Sequence, residues 1–275
     1  MSKGLRSLVW GAKRLIGALP QDEKETFARL SWNVRHRPPH NEGHFHFSFG
    51  DLIYVDASVL RHQYREIFIG RGYDFVCNHN CPLIFDCGGN IGLSVVWFKQ
   101  RYPQSRVTVF EADPSIARVL ASNVNVLQLK DVEIVQAAVW NQTGTVSFAA
   151  DGADTGRIRD RTGPREVRSV RLADFITEPV DLLKIDIEGA EYSVVSDLYG
   201  TGKIQLVNRL ICEIHSRPED RDQIAPLLSA LVQSGFKISF NHARSAPDLL
   251  GDAEPTPFAA VPDGKCLLHL YAWRS

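Results

Sequence analysis

The sequence predicts an α/β protein built on an open, mostly parallel sheet with helices on its faces, and three observations lead there. The short apolar run Leu83-Ile-Phe-Asp-Cys87 passes into glycines at 88, 89 and 92 and re-emerges from Leu93 to Phe98 with helical periodicity, which reads as strand, tight turn, helix. Two later apolar runs, 106–111 and 181–187, also carry acids at their ends, Glu111 and Asp186. The chain closes with an amphipathic helix over 218–234, stopped by Gly235, and two strand-like runs at 236–240 and 266–273. Sheets of this kind bind small molecules at the carboxyl ends of their strands, so the glycine turn marks the first place to look for a site.

Taken in order, the chain begins with an apolar stripe at helical spacing, Leu5, Leu8, Val9, Ala12, Leu15 and Ile16, flanked by Lys3, Arg6, Lys13 and Arg14. This helix packs on its own domain or a second copy of the chain, or touches a membrane surface; it is too interrupted for a signal peptide. From Gly43 the residues alternate His44, His46, Ser48 against Phe45, Phe47, Phe49, and Gly50-Asp51 turns that strand into 52–56, giving a hairpin. Residues 1–62 are thus read as a helical and hairpin extension, and 63–275 as the main domain. The segment Cys77-Asn-His-Asn-Cys81 offers three soft ligands, but no second cysteine or histidine pair has zinc-site spacing, so it reads as a loop entering the first core strand.

The glycine turn is not a dinucleotide fingerprint, because G-x-G-x-x-G ending at Gly92 requires glycine at 87, where the chain has Cys. Asp86 would repel a pyrophosphate, yet it can accept hydrogen bonds from the ammonium of an amino-acid-bearing cofactor, directly or through water. Glu111, ending the next strand, stands where a ribose-binding acid belongs. Together they point to S-adenosylmethionine rather than NAD. The serial motifs F-D-C-G-G-N-I-G, V-F-E-A-D-P and D-L-L-K-I-D-I-E-G-A-E resemble those of FkbM-type methyltransferases, over a span from about Gln63 to His215. The resemblance implies a Rossmann-like class I methyltransferase fold, a mostly parallel seven-stranded sheet whose last strand is antiparallel. It also implies S-adenosylmethionine held by Asp86, Gly88, Asn90, Gly92, Glu111 and Ala112, with the 61–73 segment covering the cofactor and Tyr73 lining the site or filling the core.

Asp113-Pro114 caps and starts the helix after the second strand, with Ile116, Val119, Leu120 and Val124 as its apolar face. The third strand runs over 132–139, and the small residues Ala137 and Ala138 near its end leave room for a flat adenine ring. Residues 141–144 form a turn, followed by a polar, basic hairpin with Arg157, Arg159, Arg161, Arg165 and Arg168, a solvated face or a grip on an anionic acceptor. Alternation along the fourth strand, 181–187, puts Lys184, Asp186 and, if the extension continues, Glu188 on one side. The fifth, 206–215, ends with Glu213 and His215 sharing a face.

The implied reaction is in-line methyl transfer to a hydroxyl of a sugar, glycan or natural-product scaffold. N- or carboxyl-methylation, or an inactive cofactor-binding interaction module, are the alternatives. His215 is expected as general base, with Asp186 and Glu213 orienting it and Lys184 and Glu188 in support. The other arrangement, a divalent metal held by Asp186 and Glu213, is disfavoured because the Lys184 ammonium faces the same cleft.

At 275 residues, 44% apolar and 23% charged with a net charge of -1, the composition is that of an ordinary globular protein with no bulk field for nucleic acid. Five cysteines without the density of a secreted framework fit a reducing cytoplasm, and no run approaches the ~20 apolar residues that cross a bilayer.

Overall fold

The computed structural model describes residues 21–36, 41–149, 157–159, 165–216, 218–243 and 266–274. The amino-terminal stripe at 5–16 lies outside them, and the chain enters through a helix that periodicity did not reveal, α1 (Gln21–His36). The hairpin follows as β1 (Gly43–Phe47) and β2 (Gly50–Tyr54), antiparallel, with Phe45 and Phe47 buried and His44 and His46 exposed. Asp56 caps α2 (Ala57–Tyr64) through Ser58 and Val59, and the helix continues into one π-helical turn, Arg65–Ile69.

The centre is a seven-stranded sheet. Its strands are β3 (Leu83–Cys87), β4 (Arg106–Glu111), β5 (Val132–Gln136), β10 (Leu182–Ile185), β11 (Arg209–Ser216), β12 (Lys237–Ala243) and β13 (Cys266–Trp273). The order is β12-β13-β11-β10-β3-β4-β5, and only β13 runs against its neighbours. The chain thus builds outward from β3 through β4 and β5, then returns to lay β10 and β11 on the other side. The strand order reverses at β3, and a crevice opens there at the strands' carboxyl ends.

The two sheet faces bury different residues, as the period of two requires. Leu83, Phe85, Leu183, Ile185 and Leu210 pack with α5 (Glu191–Gly200) and α6 (Ile224–Gln233). Ile84, Val107, Val109, Leu182 and Ile211 pack with α3 (Leu93–Arg101) and α4 (Pro114–Val126), and the extension's Leu30, Phe47, Leu52, Tyr54 and Leu60 join this same core. A run of ring contacts, Phe47–Tyr64, Tyr64–Phe68 and Phe68–Trp97 at 5.5, 5.0 and 5.0 Å, carries the packing from hairpin to α3. Buried Asn123 on α4 adds polar fastening: Ile53 N–H donates to its Oδ1 (2.8 Å), and its Nδ2 donates to the carbonyls of Ile53 (2.9 Å) and Ile91 (2.8 Å).

Some expected bounds shift. Residues 132–139 are not one strand: β5 stops at Gln136, the Ala137 N–H closes a tight turn on the Val135 carbonyl (2.9 Å), and β6 (Ala138–Trp140) enters a separate sheet. That four-stranded sheet, ordered β6-β9-β7-β8, holds β7 (Gly144–Ala149), β8 (Arg157–Arg159) and β9 (Arg165–Arg171), the arginine-rich hairpin. Arg161 and the side chains of Arg157, Arg159 and Arg165 lie outside the described residues, and Arg168 is exposed. The fourth strand ends at Ile185, before Asp186 and Glu188. The fifth begins at Arg209 because Lys203–Leu206 is a 3₁₀ turn. The 218–234 helix is split: Pro218–Gln223 is 3₁₀, and α6 starts at Ile224 so that Pro226 falls in its first turn, where a missing N–H costs nothing. Among the described residues no helix is long and apolar enough to cross a membrane.

Candidate active site

The glycine turn is dictated by crowding. Gly88 has φ 87°, and a Cβ there would stand 1.8 Å from the Asp186 carbonyl oxygen, so only glycine lets β3 and β10 end this close together. Asn90 is also left-handed, at φ 46°, and Gly92 at φ 93° starts α3. The turn borders a cleft of about 1060 Å³, open mouth included, whose walls come from the ends of β3, β4, β5, β10 and β11 and from the α2–π-turn segment.

Glu111 lies on the cleft wall with its carboxylate fixed by backbone: Asn90 N–H donates to Oε2 (2.9 Å) and Asp113 N–H to Oε1 (2.8 Å). Burial pushes its pKa up to about 7, against the pull of those two donors. Each oxygen keeps a lone pair for a further donor. Ala112, Ala137 and Ala138 form a small-residue wall beside it, and Gly88, Asn90 and Tyr73 are on the wall too. Tyr73 is both lining and core, buried against Phe98 at 6.2 Å with the Lys184 ammonium 5.6 Å from its ring centre.

Two residues expected to touch a cofactor stand back from the cleft. Gly92 is the helix start and is not on the wall. Asp86 is fully buried; Ser94 Oγ donates to its Oδ2 (2.6 Å) and Lys184 Nζ lies 3.4 Å from Oδ1, so its carboxylate has no direct access to a ligand's ammonium. The reason is register: Lys184 on β10 is the partner of Asp86 on β3, and both point to the same face. Burial raises Asp86 above the usual carboxylate range. For Lys184, burial works against the charge, but Asp186, Asp86 and Glu213 outweigh it and hold the ammonium charged. Its Nζ donates to the Gly88 carbonyl (2.6 Å) and sits 3.3 Å from Asp186 Oδ2, tying the glycine turn to the end of β10.

Asp186, Glu188 and Glu213 all face the cleft. Glu188 owes its position to a left-handed backbone, φ 56°, followed by Gly189 at φ 106°, which reverses the chain just past β10. Burial pushes Glu188 up to about 7, with His215 opposing. His215 is not on the cleft wall. It stands behind these acids with Nε2 3.5 Å from Glu188, 3.7 Å from Glu213 and 4.0 Å from Asp186, while its Nδ1 donates to Glu191 at 2.9 Å. Burial alone would lower its pKa; the Glu191 hydrogen bond and the charges of Glu191, Glu188 and Asp186 override it and raise it to about 10. His215, expected as the neutral general base, thus stands off the cleft wall among carboxylates that favour its imidazolium form, a form with no lone pair to accept a proton.

Periodicity did not single out Glu191, Glu66 or His269. Glu191 is fully buried at the start of α5; its Oε1 also accepts the N–H groups of Ile187 (3.2 Å) and Gly189 (3.0 Å) and so fixes the turn that presents Glu188. Three acids in six residues, Asp186, Glu188 and Glu191, were the available signal. Glu66 sits in the π-helical turn and lines the cleft, and the placement of such turns at functional sites is common. His269, paired in register with Glu213, reaches Glu213 Oε2 at 3.1 Å and Glu66 Oε1 at 3.4 Å. Burial, and then the charge of Glu213, raise Glu66.

The wall carries six carboxylates, Glu66, Glu111, Asp113, Asp186, Glu188 and Glu213, against one lysine. Such a donor set fits S-adenosylmethionine: a carboxylate with spare acceptor capacity for ribose hydroxyls, a small-residue wall for adenine, and excess negative charge for a sulfonium and an ammonium. Asp186, Glu188 and His215 also offer ligand atoms within 4.8 Å of one another, a possible cation site. The neighbouring Lys184 ammonium, 3.3 Å from Asp186, opposes a dication there.

Comparison with known proteins agrees with this reading. The family described as the methyltransferase FkbM domain matches residues 86–244, more than half of the chain. "Methyltransferase sdnD" of Sordaria araneosa is 28% identical over 238 residues, covering 72% of this chain and 90% of that protein. "Methyltransferase 1" of Beauveria bassiana (strain ARSEF 2860) is 26% identical over 212 residues, 67% of this chain and 84% of that one. "2-O-methyltransferase NoeI" of Sinorhizobium fredii (strain NBRC 101917 / NGR234) is 27% identical over 139 residues, 42% of this chain and 56% of that protein. Matched from the acid of β3 to the end of β12, with the glycine turn, Glu111 and the acid cluster inside the matched span, the chain belongs to the FkbM methyltransferase family.

Proposed function

We propose that the protein is an O-methyltransferase that moves the methyl group of S-adenosylmethionine to a hydroxyl of a sugar or natural-product scaffold in a reducing cytoplasm. The observation that carries the proposal is the opening of the Asp186–Glu188–Glu213 cluster into the same cleft as Glu111. One relative, the 2-O-methyltransferase NoeI, supports oxygen as the acceptor atom.

When bound, S-adenosylmethionine supplies a methyl carbon already activated by its sulfonium, so the chain's task is alignment and proton removal. Glu111 accepts the ribose hydroxyls, the Gly88–Asn90 backbone follows the amino-acid end, and Ala112, Ala137 and Ala138 take the adenine. Lys184 holds the turn in place through the Gly88 carbonyl. Glu188 takes the acceptor's proton: its pKa of about 7 lets it be ionised and still hold a proton near neutrality, and the His215 imidazolium 3.5 Å away restrains it. Glu191 and His215 are positioning residues that act through Glu188.

The test is methyl transfer from labelled donor to a panel of glycans and hydroxylated metabolites, with the product's methyl linkage read by NMR. Wild-type turnover should rise with pH through about 7 as Glu188 ionises. Glu188→Gln should lose that limb and roughly 10²–10⁴-fold in turnover while donor affinity stays, and added magnesium should change neither. Full turnover in Glu188→Gln would remove Glu188 as the base, and methylated nitrogen or carboxylate would replace the oxygen acceptor.

A further inference from the structure

At the opposite end of the sheet from the cleft, the loop before β3 meets the residue before β10. The Cys77 thiol donates to Asp181 Oδ1 at 3.7 Å, and His79 Nε2 lies 3.2 Å from the same oxygen. The three ligand atoms lie within 4.8 Å of one another. We propose that Cys77, His79 and Asp181 bind a zinc ion that clips the 70–82 loop to the sheet.

Geometry and chemistry both lead to zinc. With Zn–S of about 2.3 Å and Zn–N and Zn–O of about 2.0–2.1 Å, the edges of a tetrahedral site are about 3.5 Å for S···O and about 3.3 Å for N···O. The observed separations, 3.7 and 3.2 Å, are close to those edges, so two of the three ligand–ligand edges already match a bound ion. Thiolate with imidazole selects zinc over magnesium or calcium. Asp181 is anchored as a good ligand must be: Leu83 N–H donates to its Oδ2 (2.9 Å), and its own N–H donates to the Leu83 carbonyl (2.9 Å), which leaves Oδ1 for the ion. The Cys77 backbone is held by the Tyr102 hydroxyl (2.9 Å), whereas His79 is 43% exposed and free to close the last edge. Cys81 Sγ lies 3.8 Å from His79 Nδ1, placed to accept that nitrogen's N–H once Nε2 turns its lone pair to an ion.

Spacing alone hid this site, because the ligand that completes it comes from 104 residues beyond Cys77. A zinc ion here fastens the segment that leads out of the π-helical turn, at the far end of β3 from the glycine turn, without touching the methyl-transfer cleft.

The test uses the full chain, produced with zinc and dialysed into metal-free buffer. The expected result is one zinc per chain by elemental analysis, and after exchange into cobalt the visible absorption of a tetrahedral site with a thiolate ligand. Cys77→Ser and His79→Gln should each hold less than about a tenth of that zinc and lose the cobalt spectrum, with circular dichroism and donor binding kept. Added zinc should raise the wild-type melting temperature and leave both variants unmoved. Wild type without stoichiometric zinc, zinc retained by both variants, or untreated protein lighter by two hydrogens through a Cys77–Cys81 disulfide would each overturn the proposal.

Discussion

His215 offers a direct measurement of how the acid cluster works. Its pKa is raised from the ordinary ~6.5 to about 10, burial being outweighed by Glu191, Glu188 and Asp186. A folded-state value above the unfolded one means the folded chain holds the proton more tightly. The stabilisation is therefore complete below pH ~6.5, declines as pH rises, and is gone once pH passes about 10. A displacement of that size corresponds to about 5 kcal/mol at ~1.36 kcal/mol per tenfold change. The same carboxylates also share the proton, so about 2–3 kcal/mol is the figure to look for. The perturbation is His215→Gln, which keeps a donor toward Glu191 and removes the charge. Urea unfolding at pH 6, 8 and 10 should show wild type ahead of the variant at pH 6 by that margin, with the gap closing by pH 10. The imidazole carbon resonance should titrate well above pH 8. A flat gap, or a resonance that titrates near 6.5, would refute the reasoning and restore His215 as a neutral base.

Two further outcomes follow from the same geometry. Glu111→Gln keeps the shape but loses an acceptor for ribose hydroxyls and for its two backbone donors, so calorimetry should show donor binding weaker by about 1–3 kcal/mol with the fold retained. Asn123→Ala leaves the Ile53 N–H and the Ile53 and Ile91 carbonyls without their partner; a loss of about 2–4 kcal/mol in denaturant stability is expected, and less than about 0.5 kcal/mol would mean the extension is held by its apolar packing alone.

The strands, the glycine turn, the Asp113 cap and Glu111 were legible because each is written in adjacent residues: an apolar run, an acid at its end, glycines where the backbone is left-handed. What stayed hidden depends on neighbours from elsewhere in the chain. Asp86 reads as a direct ligand until Lys184, 98 positions away, is seen beside it in the parallel register. His215 reads as a base until the acids around it, drawn from the turn after β10 and the start of α5, are seen to favour its charged form. The break after Gln136 was invisible because alternation continues through Ala137 and only pairing partners reveal that Ala138 belongs to another sheet. Asp181 joining Cys77 and His79 belongs to the same class.

The contact between Gly88 and the Asp186 carbonyl has a mechanical meaning. Two strand ends abut there backbone against backbone, with no side chain between them to hop or compress, and Lys184 bolts the joint through the Gly88 carbonyl. Under the proposed function, the turn that holds the donor and the strand end that leads to the acceptor's base are therefore fixed to one another through backbone, which sets the distance between them.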